Sequence, residues 1–510
     1  MEVQVDTSTL ALETSNGVPT PLARHAGPRS VVHLSIWVFA AFQFLYMFTS
    51  TGRARTADEY NTFYVAESLV LRGSTAIPQA VQLHNFYGSF DLAGQPQAAY
   101  TPGQAVLCTP WYAFGHYVLS RLPGVPANMA DLVCCFSTCW SSATFSALAL
   151  ALFFAILTSI GLSIRTSLLA TVILGLATPV FGYSAWLFSE PLSTATFMGV
   201  ALLLFWRPIE PISFRTAILA GLILGMATWI RPTNVLAIPV FAAAVLVRDR
   251  KRGWWCALVL CATAGAGVLA LLSRNAHLFG NAFDFGYPKV TDGGISTDVR
   301  FDTPLWKGLY GFILSPGKSV LVFAPPLLLA VFGLKRLWKI ERGVATVATL
   351  FPIVYLSFFV RYSSWEGGYC VGPRYLVPSI ALACLGLGPA LAAGSKLARR
   401  FVPILFGLGV LVQIVTLATS FLEDQAPRGH YYDATWHYQL AYSLRGQFHL
   451  FWKYLNAGQP SRLGLGWDRW FVFLHLAGVS TATLLVLVAL ILAGLGISVT
   501  GLLRQARIAA

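Results

Sequence analysis

Charge is what this sequence has least of. Asp, Glu, Lys and Arg make up 11% of its 510 residues, against roughly 25% in ordinary soluble domains. That leaves too little polar side chain to cover several water-exposed domains, and it excludes disordered and coiled-coil chains as well. Cysteine is equally uninformative as a framework. Cys134, Cys135 and Cys139 share one apolar run, Cys256 and Cys261 another, and Cys108, Cys370 and Cys384 are scattered. None has the paired spacing of a zinc site, so all eight are expected to be packing residues. Internal repeats, a Walker loop, a zincin motif and a Gly-x-Ser-x-Gly elbow are also missing. What is abundant is apolar: 56% of the chain, gathered into long runs. The expected class is an all-α polytopic membrane protein, its solvent mostly lipid.

Hydropathy gives about twelve transmembrane helices: 31–50, 128–160, 166–184, 188–206, 215–231, 233–248, 254–273, 318–334, 343–361, 375–393, 401–421 and 469–500. A weaker apolar segment covers 104–120. Residues 1–30 read as a disordered cytosolic tail. A membrane module follows over 31–421, with long loops at 51–127 and 274–317. Residues 422–510 hold a third long loop, the last span and the C-terminus. With the N-terminus in the cytosol, cations collect on that side. The cytosolic turns carry Arg165; Arg207 and Arg215; Arg248, Arg250, Lys251 and Arg252; Lys335, Arg336, Lys339 and Arg342; and Lys396, Arg399 and Arg400, with Arg504 and Arg507 in the tail. The net charge of +14 is therefore a membrane protein's asymmetry, and no nucleic-acid partner is expected. All three long loops, which carry short helices, then lie outside a multi-pass cell-membrane protein with both termini cytoplasmic.

Against this background each outer charge needs a reason. Thr56-Ala57-Asp58-Glu59 opens a helix beyond the first span. Glu59 suits a capping box with Thr56 or a catalytic role. Asp58, in the first turn, is favoured as an ionised base by the helix dipole. Glu190, in Ser189-Glu190-Pro191, is a carboxylate at membrane depth, where burial is expensive; its alternative is to cap the next helix, with Pro191 in the first turn. Arg231 in Arg231-Pro232-Thr233-Asn234, Lys318 after Ser315-Pro316-Gly317, and Arg374 after Gly372-Pro373 oppose the usual sidedness. Snorkelling accounts for one such cation; three beside Gly or Pro suit a lipid-linked phosphate. Tyr100, Trp365, Glu366, Tyr369 and Tyr375 add aromatic and acidic groups near the same boundary, as either an interfacial belt or a sugar platform. His430, Asp433 and His437 share a helical spacing without a fourth metal ligand.

The ordered set Asp58-Glu59, Tyr100-Thr101-Pro102-Gly103, Ser189-Glu190-Pro191, Arg231-Pro232-Thr233, Leu314-Ser315-Pro316-Gly317-Lys318 and Trp365-Glu366-Gly367-Gly368-Tyr369 with Gly372-Pro373-Arg374 resembles the GT-C superfamily. These are integral-membrane glycosyltransferases that include protein O-mannosyltransferases and lipid A aminoarabinose transferases. The resemblance covers about residues 31–380. It implies an extracytoplasmic, inverting transfer of a hexose or pentose from a polyprenyl-phosphate donor to a glycan, lipid or protein acceptor. Asp58, Glu59 and Glu190 would be the catalytic carboxylates. Arg231, Lys318, Arg374, Tyr375, Trp365, Glu366 and Tyr100 would hold substrate and phosphate, with Asp58, Glu190, Lys318 and Arg374 around one cavity. No cofactor follows with certainty; some members bind a divalent metal at the acidic motif and others do not. The rival reading is a lipid or lipid-linked-sugar flippase without transfer chemistry, which should show pseudo-repeats and access to both faces.

Overall fold

The computed structural model describes residues 28–206, 210–288, 300–368, 370–394, 396–418, 452 and 469–509. Residues 1–27 of the predicted tail and the His430, Asp433 and His437 set lie outside these residues, as do nearly all of the third long loop and Tyr369; residues 28–30 open the first helix instead.

The chain is helical because an apolar run can satisfy its backbone only from within itself. Helix α1 is Pro28–Thr49. The following loop carries α2 (Ala57–Arg72), α3 (Pro78–Gln82), a hairpin of β1 (Gly88–Phe90) with β2 (Pro96–Ala98), and α4 (Gly103–Tyr117). Then come α5 (Ala130–Ser159), α6 (Ile164–Leu176), α7 (Pro179–Tyr183), α8 (Glu190–Phe205), α9 (Phe214–Ile230), α10 (Ala237–Arg248) and α11 (Gly253–Phe279). A second loop holds α12 (Leu305–Ile313) and α13 (Val320–Phe323). The rest comprises α14 (Leu327–Ile340), α15 (Arg342–Phe359), α16 (Val377–Ala383), α17 (Leu387–Ala392), α18 (Lys396–Ala418), α19 (Trp470–Leu476) and α20 (Thr481–Ala509).

Seven helices are long and apolar enough to cross a membrane: Arg29–Thr49, Ala127–Ser159, Gly253–Phe279, Arg342–Phe359, Arg374–Ala392, Arg399–Ala418 and Thr481–Ala509. The other five predicted spans are occupied by shorter helices, α6, α8, α9, α10 and α14. Two of the predicted runs break where their prolines require it. The 166–184 run stops at Leu176 and restarts at Pro179, with Thr178 as N-cap, its Oγ1 accepting from Val180 N–H at 3.3 Å. The 318–334 run is divided by Pro325 and Pro326, so the long part starts only at Leu327. The weaker 104–120 segment is α4, beside α2 and α5.

Packing relies on small residues, as it must where both sides are lipid-like. A Cβ on Gly221 would sit 2.4 Å from the Leu260 carbonyl oxygen, and one on Gly267 2.7 Å from the Gly225 Cα, so α9 and α11 touch backbone to backbone. Gly333 on α14 meets Gly386, where an added Cβ would lie 1.8 Å from a carbonyl oxygen. Seven of the eight cysteines are buried and all eight are free thiols, in keeping with packing roles.

The two ends of the bundle differ in chemistry. At one end the α1–α2 loop reaches the 184–188 turn, Thr51 N–H donating to the Ala185 carbonyl at 3.4 Å. Tyr183 donates from there to the Val371 carbonyl at 2.8 Å. The second loop returns to this end, Ser363 N–H donating to the Arg300 carbonyl at 2.8 Å. At the opposite end Arg248 and Glu341 pair at 3.6 Å.

Candidate active site

Four charges from four parts of the chain converge where α2, α8, α9 and α16 begin or end. Arg374 is the hub. Its Nη2 donates to Asp58 Oδ2, its Nε to Glu190 Oε1 at 3.0 Å, and its Nη1 to the Gly367 carbonyl at 3.3 Å. Arg231 Nη1 reaches the same Glu190 Oε1 at 2.6 Å. Glu190 is 1% exposed, and its Oε2 carries no hydrogen bond among the described residues. Asp58 and Arg231 are each 22% exposed at the side chain, so they form the rim. Two carboxylates face two guanidiniums, and the cluster sums to zero charge. Neutrality of this kind is what permits burial, since an unpaired buried ion would cost several kcal/mol.

Local structure explains each placement. Glu59 accepts from the Arg55 and Thr56 backbone N–H groups at 3.0 and 3.2 Å, completing the capping box with Thr56. Its other oxygen accepts from Leu187 N–H at 3.1 Å. Glu59 is fully buried, and burial raises its carboxyl despite the Arg55 charge. It thereby fastens the start of α2 to the 184–188 turn, leaving Asp58, one residue earlier, on a different face. Glu190 does not cap α8 through its side chain; it sits in the first helical turn with Pro191 beside it and turns toward the arginines.

Aromatic rings floor the cations. The Arg374 guanidinium lies 4.1 Å from the Phe188 ring centroid. Arg231 lies 4.5 Å from the Tyr375 centroid, and Tyr375 stacks on Phe359 at 4.4 Å and 14°. Such stacks hold a guanidinium flat while leaving its edge to donors and acceptors. Tyr100 donates its hydroxyl to Asp58 Oδ1. Burial and then the Asp58 carboxylate hold this phenol well above its ordinary range, so it remains a donor. Burial would also raise Asp58, but the Arg374 charge, with the Tyr100 and Arg374 hydrogen bonds, outweighs it and leaves the carboxyl below its ordinary 3.8.

The Tyr100-Thr101-Pro102-Gly103 segment owes its glycine to close approach. A Cβ on Gly103 would stand 2.4 Å from the Trp229 carbonyl oxygen, in the last turn of α9. Gly103 thus lets α4 dock beside Arg231 and deliver Tyr100. Gly103→Ala is expected to cost about 1–3 kcal/mol through overpacking, read as a lower unfolding temperature in detergent. A variant as stable as the parent would mean that this contact does not set the position of α4.

Lys318, Trp365 and Glu366 belong to the neighbouring 365–372 loop. The Lys318 ammonium is buried and donates to the Cys370 carbonyl at 2.9 Å and to its Sγ at 3.3 Å. Trp365 is buried against Phe312, at 5.5 Å between centroids, and against Gly311, where a Cβ would strike its ring. It anchors the loop. Burial raises the Glu366 carboxyl. Gly367, Gly368 and Gly372 have φ of +84°, +67° and +64°, a backbone that other residues seldom adopt. That fold brings the Gly367 carbonyl onto Arg374. The structure therefore brings Asp58, Glu190, Arg231, Arg374, Tyr100 and Tyr375 into one cluster, with Glu59 as its support. Lys318 reaches this cluster through the loop that Arg374 also grips.

Tyr287 is a site residue that the sequence reading passed over. Its ring meets Tyr100 edge-on at 5.8 Å, and its only signal was the Gly286-Tyr287-Pro288 turn in the second loop. As for metal, no group of three or more His, Cys, Asp or Glu side chains is placed to hold an ion among the described residues. Asp58 and Glu190 already spend three of their four oxygens on Arg and Tyr donors. This donor set does not suit a divalent ion.

No known family model matches the chain, and no curated protein matches it in sequence. Among solved structures it is similar to ArnT from Cupriavidus metallidurans in the apo state, at 12% identity and TM-score 0.48, covering 94% of this chain and 76% of that one. The same protein bound to undecaprenyl phosphate gives 14% identity and TM-score 0.44, covering 93% and 77%. The apo oligosaccharyltransferase of Archaeoglobus fulgidus gives 11% and 0.45, covering 84% of this chain and 58% of that one.

Proposed function

We propose that this chain is a GT-C-like membrane glycosyltransferase that moves a sugar from a polyprenyl-phosphate donor to a hydroxyl acceptor, with inversion, on the extracytoplasmic face. The observation that carries this reading is the Arg374 hub. One guanidinium grips both carboxylates of a neutral, largely buried cluster, beside a second guanidinium, where the ends of several helices meet.

The chemistry follows from charge. The acceptor oxygen forms a bond to the anomeric carbon from the face opposite the phosphate. The bond between that carbon and the phosphate oxygen breaks, and its electron pair leaves with the phosphate. Arg231 and Arg374 stabilise the charge that develops there. The acceptor's proton goes to Asp58. In the resting site Asp58 is a weak base because Arg374 holds it. Donor phosphate competes for that guanidinium, which loosens its hold on Asp58 and makes the carboxylate more basic when it is needed. Glu190 keeps both arginines in register through Oε1, and Oε2 can accept from a hydroxyl of the donor sugar. Glu59 is a positioning residue, and Tyr100 orients Asp58. Lys318 holds the 365–372 loop behind Arg374.

The test is a reconstitution. The purified chain in vesicles, given polyprenyl-phosphate-linked hexoses and pentoses with an envelope glycan or lipid fraction, should release free polyprenyl phosphate and produce a glycosylated acceptor. Inversion is read from the anomeric configuration of the product by NMR. Movement of donor between leaflets without release of polyprenyl phosphate would replace this reading with the flippase.

A further inference from the structure

The ion-paired cluster leaves a second feature of the molecule unused. A cavity of about 900 Å3 lies toward the opposite end, walled by α1, α5 and α8. It is near the upper end of the ~300–1,000 Å3 typical of small-molecule sites. On α8 it begins at Gly199, nine residues from Glu190, or roughly 14 Å along the axis. Its walls are hydrocarbon, with Ile36, Phe39, Leu152 and Leu203 among them. It opens sideways, where Val32, Ile36 and Leu148 are exposed by 49%, 56% and 40%. In a membrane that side is lipid.

Its foot is different. There Ser213, Thr216, Glu210 and Arg248 line it. Ser213 Oγ accepts from Thr216 N–H at 3.1 Å and caps α9, so the positive end of a 17-residue helix faces the same place. Arg248 is held by the Leu204 carbonyl at 2.5 Å and the Glu210 carbonyl at 3.0 Å, with Glu341 at 3.6 Å. Arg215 neighbours Thr216, and Arg250, Lys251 and Arg252 follow Arg248 in the chain. Against these five cations stand the carboxylates of Glu210, Asp249 and Glu341, leaving an excess of two positive charges. The end of an isoprenoid tail would gain nothing from such a foot. A headgroup would.

We infer that this groove is a binding site for a phospholipid with an anionic headgroup. Its acyl chains lie between α1, α5 and α8, and its phosphate rests by Arg215 and the start of α9. The lipid comes from the leaflet opposite the Asp58–Arg374 cluster. The inference stands on this groove alone and holds whether or not the chain transfers sugar.

Trp206 lines the groove and reports on it. The full chain is reconstituted in phosphatidylcholine vesicles carrying either phosphatidylglycerol or phosphatidylcholine with brominated acyl chains. The emission lost in Trp206→Phe isolates the signal of Trp206. Its quenching by the brominated anionic lipid should need a mole fraction about thirtyfold lower than by the zwitterionic one, given about 1 kcal/mol for each of the two excess positive charges. Gly199→Phe should erase this preference, because a Cβ there has only Leu152 Cδ1 within reach, at 3.8 Å. Arg215→Gln, an exposed change, should weaken it by roughly fivefold with the fold intact. Equal quenching by the two lipids would overturn the inference, as would a preference unchanged in both variants. Displacement of the brominated lipid by unlabelled polyprenyl phosphate would overturn it too, by giving the groove to the donor's tail.

Discussion

Asp58→Asn should lower sugar transfer by about a hundredfold to ten-thousandfold, the usual worth of a positioned general base, while the protein still folds and inserts. Asparagine keeps the size and can still accept from Tyr100, but it cannot take a proton. The same residue should set the acid side of the pH profile. Arg374 and Tyr100 hold the Asp58 carboxyl below 3.8 in the resting site. A depressed carboxyl stays ionised down to low pH, so kcat/KM, which reports the free enzyme, should fall only below about pH 4. In the donor complex the phosphate draws on Arg374, so the fall in kcat should sit at higher pH. The stability that this ion pair contributes follows the same sign: present above the ordinary aspartate value, lost as pH drops through the depressed one. Rate measurements from pH 3 to 8 on parent and variant check both points. Undiminished turnover in Asp58→Asn would move the base to another group, and coincident acid limbs for kcat and kcat/KM would remove the phosphate-driven release.

Arg374→Met should be the most damaging single change to stability and should end transfer as well. Deleting one partner of a buried ion pair costs about 3–5 kcal/mol, and Arg374 serves two carboxylates and a carbonyl at once. Glu190 would keep Arg231, but Asp58 would lose its only guanidinium bond among the described residues. Lysine at this position should rescue little, because one ammonium cannot reproduce three directed bonds in a plane. Adding Glu190→Gln to Arg374→Met should return part of the stability, a coupling of about 0.5–3 kcal/mol, and none of the activity. Thermal unfolding in detergent and donor turnover together check this. An Arg374→Met protein that unfolds at the parental temperature would show that the cluster is not the buried network described above.

The parts of the site legible in the sequence were those where rarity gave the signal. Asp58, Glu190, Arg231 and Arg374 stand out because ions are costly at a membrane boundary, and the structure joins all four. Glu59 carried two readings at once; three backbone N–H donors give it to capping and bracing. Lys318 and Trp365 look the same in sequence as their neighbours in the cluster, a Gly- or Pro-flanked cation and a loop aromatic. Only three-dimensional packing turns the first toward Cys370 and the second onto Gly311. Tyr287 came from a loop with no periodicity to mark it. The apolar runs are helical, as their hydropathy predicts, but two are shorter than predicted, since Thr178-Pro179 and Pro325-Pro326 end helices inside stretches that hydropathy treats as continuous.

The balance of two carboxylates with two guanidiniums has a last consequence, for recruitment. A resting site without net charge casts little long-range field, so it cannot gather an anion from solution as an open cationic cleft does. A donor tethered in the bilayer has no need of such capture. Under the proposed function, confinement to a plane would bring it past the entrance repeatedly, and the guanidiniums would act only on contact, once its phosphate is close enough to compete with Asp58.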